Sequence, residues 1–147
     1  MADYRHILLA ADFSDDGEYA ARKSRSLASR CRAKLSVIHV LDNIPMPDTA
    51  YGTVIALDEK TDNSLLEAEK SKLRQLGDRL QIPPSDRWLI WGIPKQEIVL
   101  LAEKLNADLI VAGFCGRHGL GLLLGSTAES VVQHAPCDVL TIRLPDN

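Results

Sequence analysis

The sequence predicts an α/β domain built on a five-stranded parallel sheet, order 3-2-1-4-5, with helices on both faces. Three observations carry this. Five short β-rich or apolar runs alternate with segments of helical periodicity. The runs centred on Leu9 and Ile110 are continuously apolar, the form of strands covered on both faces. Capping and proline signals punctuate the segments between runs. The chain has 147 residues, of which 46% are hydrophobic and 25% charged. That composition fits one domain spanning residues 1–147 with a core that needs neither metal nor disulfide.

The elements follow in order. Ile7-Leu8-Leu9-Ala10-Ala11 reads as the first strand, ended by Asp12-Phe13-Ser14. Asp15 and Glu18 have capping-box spacing, and Ala20, Ser24, Leu27, Ala28 and Cys31 then recur with helical period. The helix is acidic at its start and basic at its end (Arg25, Arg30, Arg32), which complements the helix dipole and needs no nucleic acid to explain it. Residues 35–41 form the second strand. Residues 42–63, broken by Pro45, Pro47 and Gly52, read as a long loop.

Leu66, Leu73, Leu76 and Leu80, interleaved with charges, mark an amphipathic helix stopped by Pro83-Pro84. Trp88 to Trp91 is the third strand, and Pro94 suits the first position of a helix with an Ile98, Leu101, Ala102, Leu105 stripe. Residues 109–112 form the fourth strand. Ser126 and Glu129 then cap a short helix carrying Val131 and Val132, and Val139, Leu140, Thr141 and Ile142 form the fifth strand.

Charge and cysteine content narrow the function classes. Seventeen basic against 20 acidic residues leave a net charge of −3, which argues against nucleic acid as a partner. No apolar run reaches a membrane span or a signal-peptide core, so no membrane partner and a cytoplasmic location are expected. Cys31, Cys115 and Cys137 form no CxxC pair and read as free thiols. Cys115-x-x-His118 and His134-x-x-Cys137 resemble two halves of a zinc site, but the intervening helix holds them roughly 12 Å apart. His39, inside a strand, reads as a hydrogen-bonded core histidine.

In a sheet of order 3-2-1-4-5 the direction of winding reverses beside the first strand, and ligands bind at the strand ends flanking that reversal. The loops there are Asp12-Phe13-Ser14 and a glycine-rich stretch. Gly113, Gly116, Gly119, Gly121 and Gly125, five of the nine glycines, fall in this stretch. Such a loop offers backbone amides to an anion, as does the helix opening at Ser126, with Arg117 and His118 nearby. The alternative is a flexible loop with Ser126 as an ordinary cap. Gly116 and Gly121 have P-loop spacing, but Leu122-Leu123 replaces the lysine and hydroxyl residue. The dinucleotide fingerprint is likewise off by one position and follows the wrong strand. No phosphoacceptor aspartate follows the third strand, and there is no GxSxG elbow.

Taken together, Asp12-Phe13-Ser14, His39-Val40, Gly92-Ile93-Pro94, Gly113-x-x-Gly116 leading to Gly125-Ser126, and Ala135-Pro136-Cys137-Asp138-Val139-Leu140 resemble the universal stress protein family across the whole chain. The resemblance implies a Rossmann-like fold of the adenine nucleotide α-hydrolase type, usually a dimer, in a family divided between ATP-binding and non-binding members. It implies that Asp12 and Val40 flank adenosine, while Gly113, Gly116, Gly125, Ser126 and Thr127 hold ribose and phosphates. Eight residues separate Gly116 from Gly125, where the family's binding pattern has nine. The expected function is therefore a stress-response regulatory module that binds ATP, with Mg2+, and is not itself a catalyst. The alternatives are a dimeric interaction protein with an empty or remodelled pocket, and a slow ATPase or phosphotransferase. A homodimer is expected through the fifth strand, whose edge is otherwise unpaired.

Overall fold

The structure is a computed structural model that describes residues 3–11, 13, 17–114 and 126–143, with backbone alone at 114 and 126. The elements run β1 (His6–Ala10), α1 (Gly17–Cys31), β2 (Lys34–Leu41), β3 (Thr53–Ile55), α2 (Ser64–Arg79), β4 (Arg87–Trp91), α3 (Pro94–Leu105), β5 (Leu109–Phe114), α4 (Ser126–His134) and β6 (Asp138–Arg143). The strands form one sheet in the order β3-β4-β2-β1-β5-β6. Five of these are mutually parallel in the expected 3-2-1-4-5 arrangement.

The sixth corrects the expectation of five strands and of an unbroken loop over residues 42–63. β3 adds an antiparallel edge to β4, pairing Thr53 with Trp91 and Ile55 with Leu89. Its three residues are too few to show a period of two. Tertiary contacts fix it. Gly52 N donates to Trp91 O at 2.7 Å, and the Trp91 indole donates to Thr49 O at 3.1 Å. Farther along, Arg74 donates to Leu57 O, and Lys70, whose side chain is 1% exposed, reaches Glu59 O and pairs with Glu67 at 3.1 Å. The hydrogen bond from Lys70 also holds the Glu67 carboxyl below its usual range.

The helices stop where local chemistry stops them. Asn63 caps α2, its Oδ1 accepting from the amides of Leu65 and Leu66 at 3.1 Å. α3 opens on Pro94 and closes on Asn106 at φ 56°, a left-handed cap. α1 buries Ala20, Ala21, Ser24 and Ala28, small residues that let its axis approach the sheet closely. Of its basic residues, Arg25 donates to Leu80 O at 2.9 Å, while Arg30 and Arg32 face solvent.

Strand parity divides the core between the two faces of the sheet. Ile7, Leu9, Val37, Leu41, Leu89 and Val111 pack against α1 and α2. Leu8, Ile38, Val40, Ile90 and Ile110 pack against α3 and Val131 of α4. β5 runs two residues beyond its expected end, so Gly113 belongs to a strand and not to the loop. Of the two valines carried by the short helix, Val131 is fully buried and Val132 is 53% exposed.

Candidate functional site

At the carboxyl ends of β1, β2 and β5 the sheet opens into a cleft of about 280 Å³. It lies where the strand order reverses, the place an open α/β sheet offers a ligand. Ala10 and Ala11 come from the end of β1, Ile38 to Val40 from β2, Ala112 and Gly113 from β5, Pro94 and Ile98 from α3, and Thr127, Ala128 and Val131 from α4. The volume is at the small end of the roughly 300–1,000 Å³ usual for small-molecule sites, suited to a nucleoside-sized group. Its walls are aliphatic, and small side chains create the space: Ala10, Ala112 and Ala128 stand where larger residues would fill it.

The first turn of α4 borders this space through Thr127 and Ala128. The leading amides of a helix lack intrahelical acceptors and sit at the positive end of its dipole, so this rim suits an anionic group. The combination is an apolar slot beside a helix N-terminus, chemistry that matches a ring system carrying phosphate.

Of the residues expected to bind, Val40, Gly113 and Thr127 are brought together around this one cleft. Asp12, Gly116 and Gly125 lie outside the described residues, as does the side chain of Ser126. Sequence reasoning missed Ile38, Ile98 and Val131, which look like ordinary core at strand and helix spacing. His39, expected as a core histidine, has a side chain only 17% exposed on the α1/α2 side of β2, with its ring 4.3 Å from that of Phe13 between centroids and Nε2 3.7 Å from Glu69 Oε1.

Cys115 and His118 lie outside the described residues, and among the described ones no group of three or more His, Cys, Asp or Glu gathers. His134 Nδ1 instead donates to Ser130 O at 2.8 Å. Cys31 and Cys137 are free, and burial pushes the Cys137 thiol up, away from the reactive thiolate. No helix among the described residues is long and apolar enough to cross a membrane.

The sequence matches the family described as Universal stress protein family over residues 3–143. The chain belongs to that family. It is 36% identical to universal stress protein A homolog 1 of Coxiella burnetii, over 97% of this chain and 99% of the relative. Among solved structures it resembles a universal stress protein in complex with cAMP, at 24% identity and a TM-score of 0.68, covering 95% of this chain and 97% of the other. It also resembles the Archaeoglobus fulgidus universal stress protein in complex with dAMP, at 22% identity and a TM-score of 0.62, covering 97% of this chain and 100% of the other. These likenesses extend the fold assignment to the whole sheet and its covering helices.

Proposed function

We propose that this chain binds an adenine nucleotide, ATP with Mg2+, in the cleft at the ends of β1 and β5, and that occupancy serves as a signal in a cytoplasmic stress response. The observation that carries the reading is the convergence of Val40, Gly113 and Thr127 on one cleft at the switch point of the sheet. Two structures of similar fold hold cAMP and dAMP, so adenine nucleotides fit this architecture in those proteins. In the proposal, adenosine lies between the β2 wall at Val40 and the β1 end at Asp12. Gly113, Gly116, Gly125, Ser126 and Thr127 receive ribose and phosphates through backbone amides and hydroxyls.

The residues present fit the nucleotide better than they fit a resident metal. The slot is aliphatic and the α4 rim offers donors, but the described lining residues include no carboxylate. Magnesium would arrive with the triphosphate, which supplies most of its oxygen ligands, with Asp12 as the protein carboxylate closest in sequence to the first strand's end. The one ionisable residue among the described cleft-lining ones is His39, whose ring packs against Phe13 and Glu69, and the function proposed is binding, not turnover.

Homodimerisation through β6 belongs to the same proposal. β6 ends the sheet, and Leu140 on it is 41% exposed. Pairing with the same strand of a second copy would satisfy its outer backbone groups in a twofold interface. The decisive experiment is mass spectrometry of ligand extracted from freshly purified protein, followed by equilibrium binding of ATP, ADP and AMP to desalted protein. Saturable micromolar binding of one of them supports the reading. Failure of all three to bind moves the chain to the interaction-protein alternative.

A further inference from the structure

β3 covers only part of the outer edge of β4. Thr53, Val54 and Ile55 pair with Trp91, Ile90 and Leu89, and there the pairing stops, so Arg87 and Trp88 have a strand partner on the β2 side alone. The chain beyond β3 is drawn toward α2, where Arg74 Nη1 donates to Leu57 O at 2.6 Å and Lys70 reaches Glu59 O. Between the departing chain and the start of β4 lies a notch of about 480 Å³, larger than the cleft and inside the roughly 300–1,000 Å³ usual for small-molecule sites. It shares no lining residue with the cleft. One wall is apolar: Val54, which is 50% exposed, with Ile55 and Leu57, which pack against the core behind them. The charged residues lining it are Arg74, Arg87 and Asp58. The Arg87 guanidinium is committed within the protein. It lies over Gly77, where a Cβ would clash with it, donates to Ile82 O at 2.8 Å and Arg74 O at 3.3 Å, and pairs with Asp78 at 2.9 Å. The half-buried Arg74 differs: its one side-chain hydrogen bond goes to a backbone carbonyl, and it forms no ion pair among the described residues. Asp58, exposed on the departing chain, likewise pairs with no described cation, Arg74 included.

We propose that this notch binds a free α-amino acid with an apolar side chain. Arg74 receives the α-carboxylate, Asp58 receives the α-ammonium, and the side chain lies against Val54, Ile55 and Leu57. A cation and an anion that line one cavity without pairing with each other call for a ligand that carries both charges. A simple anion would meet Asp58, a simple cation would meet Arg74, and a neutral apolar molecule would leave both charges unanswered. The planar fork of an arginine matches the two oxygens of a carboxylate, and the half-buried setting of Arg74 strengthens that pair relative to one in open solvent. The apolar wall then selects among amino acids, since a polar side chain would be desolvated there without a partner. The notch lies on the outer edge of the sheet, so the proposal is independent of nucleotide binding in the cleft.

Isothermal titration of the full chain with L-phenylalanine, L-leucine and L-methionine tests this, followed by the N-acetyl and amide forms of whichever binds best. At least one free amino acid should bind saturably, with a Kd of about 1 mM or below. The N-acetyl form, which lacks the ammonium, and the amide, which lacks the carboxylate, should each bind at least tenfold more weakly. Arg74→Gln and Asp58→Asn should each lower affinity by a similar factor with unchanged circular dichroism. Asp58 is exposed, so Asp58→Asn keeps the test open if Arg74→Gln loosens the Leu57 segment. Three results overturn the proposal: no saturable binding of any of the three up to about 10 mM, a blocked form that binds as well as the free amino acid, or undiminished binding in Asp58→Asn. Each holds whether or not the cleft takes a nucleotide.

Discussion

The two faces of the sheet are covered by helices of unequal reach. On one face α1 and α2 run 15 and 16 residues, and the core stays filled to the carboxyl ends of the strands by Leu41, Ile44, Leu66 and Leu73, each at most 5% exposed. On the other face α3 and α4 run 12 and 9 residues, and at the same height stand Ala10, Ala112 and Ala128. The cleft is therefore a consequence of side-chain size on one side of a single sheet. One face spends its apolar residues on stability, and the other leaves space for a ligand.

The largest expected effect tests the filled face. Leu73 is fully buried, and Leu73→Ala should destabilise the protein by about 3 kcal/mol, within the 2–5 kcal/mol usual for such cavities. Val131→Ala on the open face should cost less, about 2 kcal/mol, because it borders space that already exists. Urea unfolding of both variants measures the difference; equal losses would mean the two faces are packed alike.

Filling the cleft should do the reverse. Ala112→Leu places new methyl groups in the slot, and nucleotide affinity should fall at least tenfold while the urea midpoint moves little. Leu73→Ala, below its lowered melting temperature, should bind as the wild type does. Isothermal titration separates the two variants. A cleft whose ligand tolerates Ala112→Leu is not where the nucleotide sits.

This division also explains what was legible in the sequence. The five parallel strands and their order follow from runs such as Ile7 to Leu9 and Leu109 to Val111, whose burial is written in their composition. β3 was not legible, because Thr53–Ile55 is held by pairing with Leu89 to Trp91, far along the chain, while Arg74 and Lys70 fasten Leu57 and Glu59 just beyond it. The cleft was half legible. Glycines and a capping helix announce a phosphate-sized site, whereas Ile38, Ile98 and Val131 look the same whether they face a helix or a ligand. Glu69 and Lys70 sit in a Glu/Lys-rich stretch that resembles a solvated helix face, yet Lys70 is 1% exposed and Glu69 closes on His39.

A smaller effect concerns the edge of the sheet next to the open face. Leu140→Lys puts a charge on the outer strand, at a side chain already 41% exposed, and should not disturb the monomer's core. Sedimentation velocity should show a wild-type dimer at micromolar concentration and a monomeric variant with unchanged circular dichroism. A wild-type monomer, or a dimer that survives the lysine, would place the interface elsewhere or nowhere.

The smallest effect is a pH dependence lodged on the open face. Glu97, in the first turn of α3, is 7% exposed, and its carboxyl sits against Gly92 and Gly52: a Cβ on Gly92 would lie 2.7 Å from Oε2, and one on Gly52 3.7 Å from Oε1. The helix dipole favours a carboxylate there, but burial outweighs it and raises the Glu97 carboxyl above its ordinary 4.5. A carboxyl raised on folding holds its proton more tightly in the folded state. Its contribution is present in full below the ordinary value and declines as pH rises through the raised one. Wild-type stability should therefore fall as pH climbs through that window. Glu97→Gln, which keeps the shape and removes the charge, should flatten this part of the profile and raise the urea midpoint at neutral pH. Midpoints taken from about pH 5 to about pH 8 make the comparison. Parallel profiles for the two proteins would mean that Glu97 titrates as an exposed carboxyl does, and that the Gly52 turn does not enclose it in solution.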